Sequence, residues 1–359
     1  MPDRPHILIL MPDQMRADCM SCARHPAVRT PNIDRIATEG VRFEQATTVS
    51  PVCMSARASF ISGRYPHSHG MWTNRGRLPA DALTLFHVLR DAGYFTAHIG
   101  KSHYYSHGGR PGEKTHMREY EGYMHARGFD AVHETTGPWA TTSMRSYMTD
   151  RWEELGLYET FLDDYRMRWD GRREGTHPTT PSPLPVEEHL DSYVGRVATE
   201  FVRDHDGDRP LCLFVGFPGP HEPWDAPGDY AAMYDPADLR DPIPRPEAAR
   251  AAGDRKDFEP TPGLDAPTAR RLRANYLGKI SLIDHWVGEI LAAYEQRRWL
   301  DELCVVFWSD HGEMAGDHGR LYKQTFHESS VRVPTLVRAP GRVRTGSTSA
   351  ALAETVDIA

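Results

Sequence analysis

His6–Gln14 reads HILILMPDQ, an apolar run that stops at Pro12 and is followed at once by a carboxylate and an amide. A short run with no polar alternation is the pattern of a strand buried on both faces, which is the usual state of strands in parallel sheets. Four further runs have the same character: Phe95–Ile99 (FTAHI), Leu211–Phe217 (LCLFVGF), Leu303–Trp308 (LCVVFW) and Pro334–Arg338 (PTLVR). Helical patterns lie between them. Asn32–Glu39 follows Thr30-Pro31, a helix-start signal. Cys53–Ile61, Leu83–Ala92 (closed by Gly93), Val186–His205 and Ala269–Trp299 complete the set. Strands alternating with helices predict an α/β fold with a mostly parallel central sheet flanked by helices.

Each of the first four strands is followed by residues able to do chemistry. They are Asp13 and Gln14, then Lys101 and His103, then His221, then Asp310 and His311. In open parallel sheets ligands bind beyond the carboxyl ends of the strands. A single polar residue at such a place is an ordinary loop residue; the coincidence at successive strands argues for a site. Asp13, Gln14, Asp310 and His311 offer oxygen donors and one imidazole. That set suits a hard or borderline divalent ion, Ca²⁺ first, with Mg²⁺ or Mn²⁺ as alternatives.

Other classes of function find little support. The 359 residues carry a formal charge of -8 and no long basic run, which argues against nucleic acid as a partner. No stretch is apolar for long enough to cross a bilayer. The N-terminal run fits a first strand better than a signal-peptide core, so the expected location is cytoplasmic. Five scattered cysteines do not form a disulfide framework. Cys212 and Cys304 sit in apolar runs and read as core. Cys19 and Cys22 make a lone C-x-x-C, a weak motif without a second pair. The segments 171–185 and 218–267, rich in Pro, Gly and charge, read as long surface insertions in one catalytic domain spanning 1–359.

The segment Val49–Gly70, VSPVCMSARASFISGRYPHSHG, holds a Cys and, four residues on, an Arg. With "MPDQMRAD", "TPNIDRIATEGVRFEQATTVSPVCMSARASFISGRYPHSHG", "YFTAHIGKSH", "GPHEPW", "WSDHGEMAGDHG" and "YKQTFHESSVRVPTLV" in this order, the chain resembles the formylglycine-dependent sulfatase family of the alkaline-phosphatase-like superfamily. The Asp13-Gln14 and Asp310-His311 pairs look closest to the branch holding phosphonate monoester hydrolases and choline sulfatase. The resemblance implies a sulfuric ester hydrolase in which Cys53 is converted to formylglycine by a separate maturation enzyme. Arg57 is then the motif arginine, and Arg57 and Lys101 hold the nucleophile and screen the anionic transition state. His103 takes the proton of the second hydroxyl, and His221 and Lys323 bind the ester and protonate the leaving oxygen. Asn74 contacts the sulfate, and Asp310 is both metal ligand and proton acceptor.

The implied substrate is a small-molecule sulfate ester. A phosphonate or phosphate ester hydrolase using the same site is the alternative, and a non-catalytic relative that keeps the fold is a third reading. Ser55 departs from the Pro or Ala usual two places after the cysteine. By the same resemblance the smaller C-terminal subdomain is expected to be missing or truncated, and a homo-oligomer is allowed. Trp72, Tyr104, Trp139 and Trp224 are candidates for lining a pocket, although packing is the ordinary role of such residues.

Overall fold

A computed structural model describes residues 4–107, 115–245 and 260–359. Eight strands form one sheet: β1 (Ile7–Asp13), β2 (Val41–Thr47), β3 (Phe95–Lys101), β4 (Ala131–Thr135), β5 (Leu211–Pro220), β6 (Cys304–Trp308), β7 (Thr335–Arg338) and β8 (Ser347–Glu354). Their order is β4-β3-β5-β1-β6-β7-β2-β8. The centre is parallel, with β1 between β5 and β6 and β3 between β4 and β5. β7 runs antiparallel to both β6 and β2. This corrects the expectation that Pro334–Arg338 is parallel; four residues in the right apolar pattern do not encode direction.

Helices cover both faces. Residues of β1 and β5 alternate between two cores, because successive side chains of a strand point to opposite sides. Leu8, Leu10, Leu213 and Val215 pack on one face with residues of α1 (Pro31–Thr38), α5 (Leu190–Asp204) and α6 (Ala266–Gln296). Ile9, Met11, Cys212 and Phe214 pack on the other with α2 (Cys53–Ser62) and α3 (Leu85–Asp91). A third cluster forms under α4 (Tyr158–Glu174), where Phe161 and Tyr165 meet Trp152 and Tyr193. Cys212 is core as expected, whereas Cys304, at the start of β6, is only half-buried.

β2, β4 and β8 were not expected. β2 is half-exposed and β8 largely exposed, so neither has a continuous apolar run to betray it. The expected insertion 171–185 begins inside α4, whose last turn reaches Glu174 before Gly175 ends it at φ 76°. Residues 218–220 belong to β5, and α6 starts at Ala266, capped by Asp265. Pro267 is tolerated there because a first-turn N–H has no partner inside the helix. Of the remaining expected insertion, 246–259 lie outside the described residues. The pattern over Val186–His205 divides at His189, which caps α5 by accepting from Asp191 N–H.

β3 and β5 approach closely at the edge that carries the polar residues. A Cβ on Gly100 would lie 2.2 Å from the Gly216 carbonyl oxygen, and one on Gly216 would lie 2.3 Å from that of Lys101. Only glycine permits this approach, and it places the end of β3, hence Lys101, beside β5.

Candidate active site

Cys53 is the first residue of α2, after Val52 in an extended conformation. Pro51 and the extended Val52 bring the chain to the helix with its N-terminal amides next to the cysteine. The helix is buried from Cys53 to Ile61. Asn74, at the exposed rim, spends its Oδ1 on the Met54 N–H at 3.0 Å. Its place beside Cys53 is therefore that of a helix cap.

The ends of β1 and β6 meet at this helix. Asp13, Cys53, Asp310 and His311 are buried, and each offers a ligand atom within 4.8 Å of the others. The Cys53 sulfur lies 3.0 Å from His311 Nε2. His311 Nδ1 donates to the Gly312 carbonyl at 3.0 Å, which fixes the ring. Arg57, one turn along α2, donates from Nε to Asp310 Oδ2 at 2.7 Å and from Nη2 to Asp13 Oδ2 at 3.0 Å. Its third contact, at 2.7 Å, is the Lys101 carbonyl. Lys101 Nζ donates to Asp13 Oδ2 as well. Asp310 Oδ1 accepts from the Gln14 and His311 backbone amides, both at 3.0 Å.

One carboxylate oxygen is left over. Asp13 Oδ1 is buried and makes no hydrogen bond among the described residues, and His311 Nε2 lies 3.9 Å from it. A buried carboxylate oxygen without a donor is costly. Together with His311 and Asp310 it forms a donor set suited to a divalent cation.

The electrostatics favour negative charge at residue 53. Burial alone would raise the Cys53 thiol, but Lys323, His311 and Lys101 bring it well below the ordinary value. His311 is lowered by burial and raised by Asp310 and Cys53, and it ends near 9. Burial raises the Asp13 carboxyl, and Lys101 and Arg57 more than offset it, so the group stays ionised. His103, at φ 56° just after β3, is pushed down to about 4 mainly by burial, and so is neutral near pH 7. Its interaction with Cys53 opposes that shift without offsetting it.

A second cluster adjoins the first. His221 Nε2 lies 2.9 Å from Lys323 Nζ, and Lys323 also donates to Gln14 Oε1. Gln14, at φ 69°, gives its amide protons to Glu222, at 2.9 Å, and to Glu313. Its side-chain oxygen is thus engaged by Lys323, which also acts on Cys53. Glu222 and Glu313 were not singled out in the sequence, although both stand within or beside flagged motifs, in "PHEPW" and "DHGEM". Burial and the neighbouring Glu222 push Glu313 up, while His221 and Lys323 hold Glu222 down against its burial. Tyr104 and Trp224 are buried, and Trp72 is exposed. Cys19 is buried and Cys22 partly so, both as free thiols, and burial raises each.

The family model for sulfatases matches residues 5–359. An arylsulfatase of Clostridium perfringens is 30% identical over 99% of this chain and 73% of its own length. A choline-sulfatase of Rhizobium meliloti is 28% identical over 94% of this chain, which spans 63% of that protein. Among solved structures, a phosphonate monoester hydrolase from Silicibacter pomeroyi superposes with a TM-score of 0.76 at 25% identity, over 99% of this chain and 72% of its own. Strand-end carboxylates, a buried helix-leading cysteine with its arginine one turn on, and a family match over nearly all of the sequence lead to one assignment: this chain belongs to the sulfatase family, with the alkaline-phosphatase-like fold.

Proposed function

We propose that the chain hydrolyses small-molecule sulfate esters, with residue 53 carrying the nucleophile and Asp13, Gln14, Asp310 and His311 holding one divalent ion, Ca²⁺ first. The observation that carries this is the buried Cys53 sulfur, 3.0 Å from His311, among Lys101, Lys323 and Arg57. Such a pocket stabilises an anion at residue 53 and at the oxygens of a sulfuryl group next to it. The ion, when bound, polarises the sulfate and acidifies the nucleophilic hydroxyl. Formylglycine, made from Cys53 by a maturation enzyme, supplies when hydrated one hydroxyl for attack and a second for release.

The chain's own residues do the rest. Arg57 and Lys101 fix the carboxylates and oppose charge that builds up in the transition state. Neutral His103 is available to accept a proton from residue 53. His221 and Lys323, 2.9 Å apart, bind the ester and protonate the departing oxygen in this reading. Residues 1–359 act as one catalytic domain in this reading, working in the cytoplasm, with a homo-oligomer allowed and neither nucleic acid nor membrane as partner. Among the described residues no helix is long and apolar enough to cross a membrane.

A phosphonate or phosphate ester hydrolase is the second reading. It is favoured by Gln14, which adds no negative charge where a second carboxylate would. Peptide mass spectrometry at Cys53, combined with assays on an aryl sulfate, a phosphate monoester, a phosphate diester and a phosphonate, separates the readings. The expected result is a formylglycine peptide and the highest kcat/KM on the sulfate. Full activity with residue 53 entirely a thiol overturns the formylglycine route. No turnover of any ester by matured, metal-loaded protein leaves the non-catalytic relative.

A further inference from the structure

Arg172 stands on the last turn of α4, within a segment expected to be an insertion. Its guanidinium carbon lies 4.2 Å from the ring centre of Tyr322, 5.7 Å from that of Trp169 and 5.9 Å from that of Trp139. Tyr322 precedes Lys323, and its other neighbour is Trp224, stacked at 6.1 Å. Arg172 Nη1 is 3.6 Å from Glu222 Oε1, longer than a hydrogen bond. No hydrogen bond from this guanidinium is formed among the described residues, and its side chain is 34% exposed. Gln14 and His221 meet the other oxygen of Glu222, Oε2, so Oε1 faces Arg172 at ion-pair range. The Trp139 indole N–H is buried without a hydrogen-bond partner among the described residues, and Trp169 is 47% exposed. A partly exposed cation, loosely paired with Glu222 and framed by aromatic faces, therefore borders the His221–Lys323 end of the site.

We propose that Arg172 determines specificity by binding an anionic group, a carboxylate or a second sulfate, on the leaving alcohol of the ester. This rests on the reading that His221 and Lys323 face the leaving oxygen. Arginine's rigid fork matches carboxylate and sulfate oxygens. A cationic leaving group is excluded. An aromatic cage for quaternary ammonium needs open ring faces, and here the guanidinium already lies over them and repels a second cation.

The test compares three aryl sulfates, bearing a para carboxylate, carboxamide or trimethylammonium group, on wild-type enzyme and on Arg172→Met and Arg172→Glu. Rates are corrected for leaving-group pKa. Wild type should prefer the carboxylate ester over the cationic one. Arg172→Met should lose about tenfold more kcat/KM on the carboxylate ester than on the carboxamide, in the range for one lost charge-assisted hydrogen bond. Arg172→Glu should reverse the preference. Equal losses on all three esters, or no loss on the carboxylate ester, overturn the proposal. If wild type hydrolyses none of them, the sulfate-ester reading fails, while calorimetric titration with 4-hydroxybenzoate and 4-hydroxybenzamide still decides this one. Tighter binding of the benzoate by wild type, lost in Arg172→Met, supports it, and equal binding of the two by wild type refutes it.

Discussion

At the scale of single residues, the site is a set of charges that would not be tolerated apart. Arg57 is fully buried, and what keeps it so is the pair of carboxylates it bridges; an unpaired buried guanidinium would cost several kcal/mol. His221 allows a test of role. If it protonates the leaving oxygen, His221→Ala should cost roughly 10²–10⁴ in rate for alkyl-like leaving groups and less than about tenfold for nitrophenyl-like ones, because good leaving groups need little proton assistance. A flat loss across a series of aryl sulfates contradicts the role. Glu134 on β4 carries a second prediction. Burial pushes its carboxyl up to about 7, against donation from Ser102 and Tyr105. A carboxyl raised in the fold binds its proton more tightly there than in the unfolded chain. Its contribution is therefore complete below about pH 4.5 and lost as pH rises through about 7. The loss is on the order of 3 kcal/mol. Glu134→Gln should match wild type near pH 5 and be the more stable near pH 8; parallel curves in denaturant titrations at both pH values would refute this.

At the scale of elements, the decisive one is α2. Its first intrahelical bond runs from Ala56 N–H to the Val52 carbonyl at 2.9 Å, so the Ser55 amide lies ahead of the ladder. The Ser55 hydroxyl is buried and has no hydrogen-bond partner among the described residues. Proline at this position removes no helical hydrogen bond and takes away an unsatisfied hydroxyl. Ser55→Pro should therefore fold with a Tm within a few degrees of wild type. By restricting the unfolded segment offered to the maturation enzyme, it should also raise the fraction of residue 53 present as formylglycine. Peptide mass spectrometry reads the fraction and thermal denaturation reads the Tm. An unchanged fraction with unchanged Tm would show that Ser55 does not limit conversion.

At the scale of the whole molecule, the sheet brings together residues nearly 300 positions apart, and their mutual repulsion is held by Arg57 and Lys101. A divalent ion that fits the leftover Asp13 Oδ1 should stabilise the folded state by linkage, about 2.7 kcal/mol at a free concentration of 100 Kd. Adding Ca²⁺ to chelator-treated protein should raise Tm by several degrees. Asp13→Ala and Asp310→Ala should abolish the rise and lose bound metal in elemental analysis. Full metal content in both variants would remove them from the ligand set.

Local patterning made much of this legible. The β1, β3, β5 and β6 runs are apolar because both faces are covered, and the helices carried their own start and stop residues, as at Thr30-Pro31 and Gly93. The polar residues after those strands stood out because a strand end is where the apolar pattern must stop. Family membership, too, was readable from ordered motifs. Other features had no local signal. β2 and β8 lie toward one side of the sheet with exposed residues, and the direction of β7 depends on its neighbours rather than on its four residues. Glu222 and Glu313 gain their roles only from Gln14 approaching both, and Arg172 gains its role only because α4 ends beside Tyr322. The physical reason is the same in each case. Burial and pattern are properties of a short stretch, whereas a shifted pKa, a paired charge or a strand's direction belongs to groups distant in sequence that folding brings within a few ångströms.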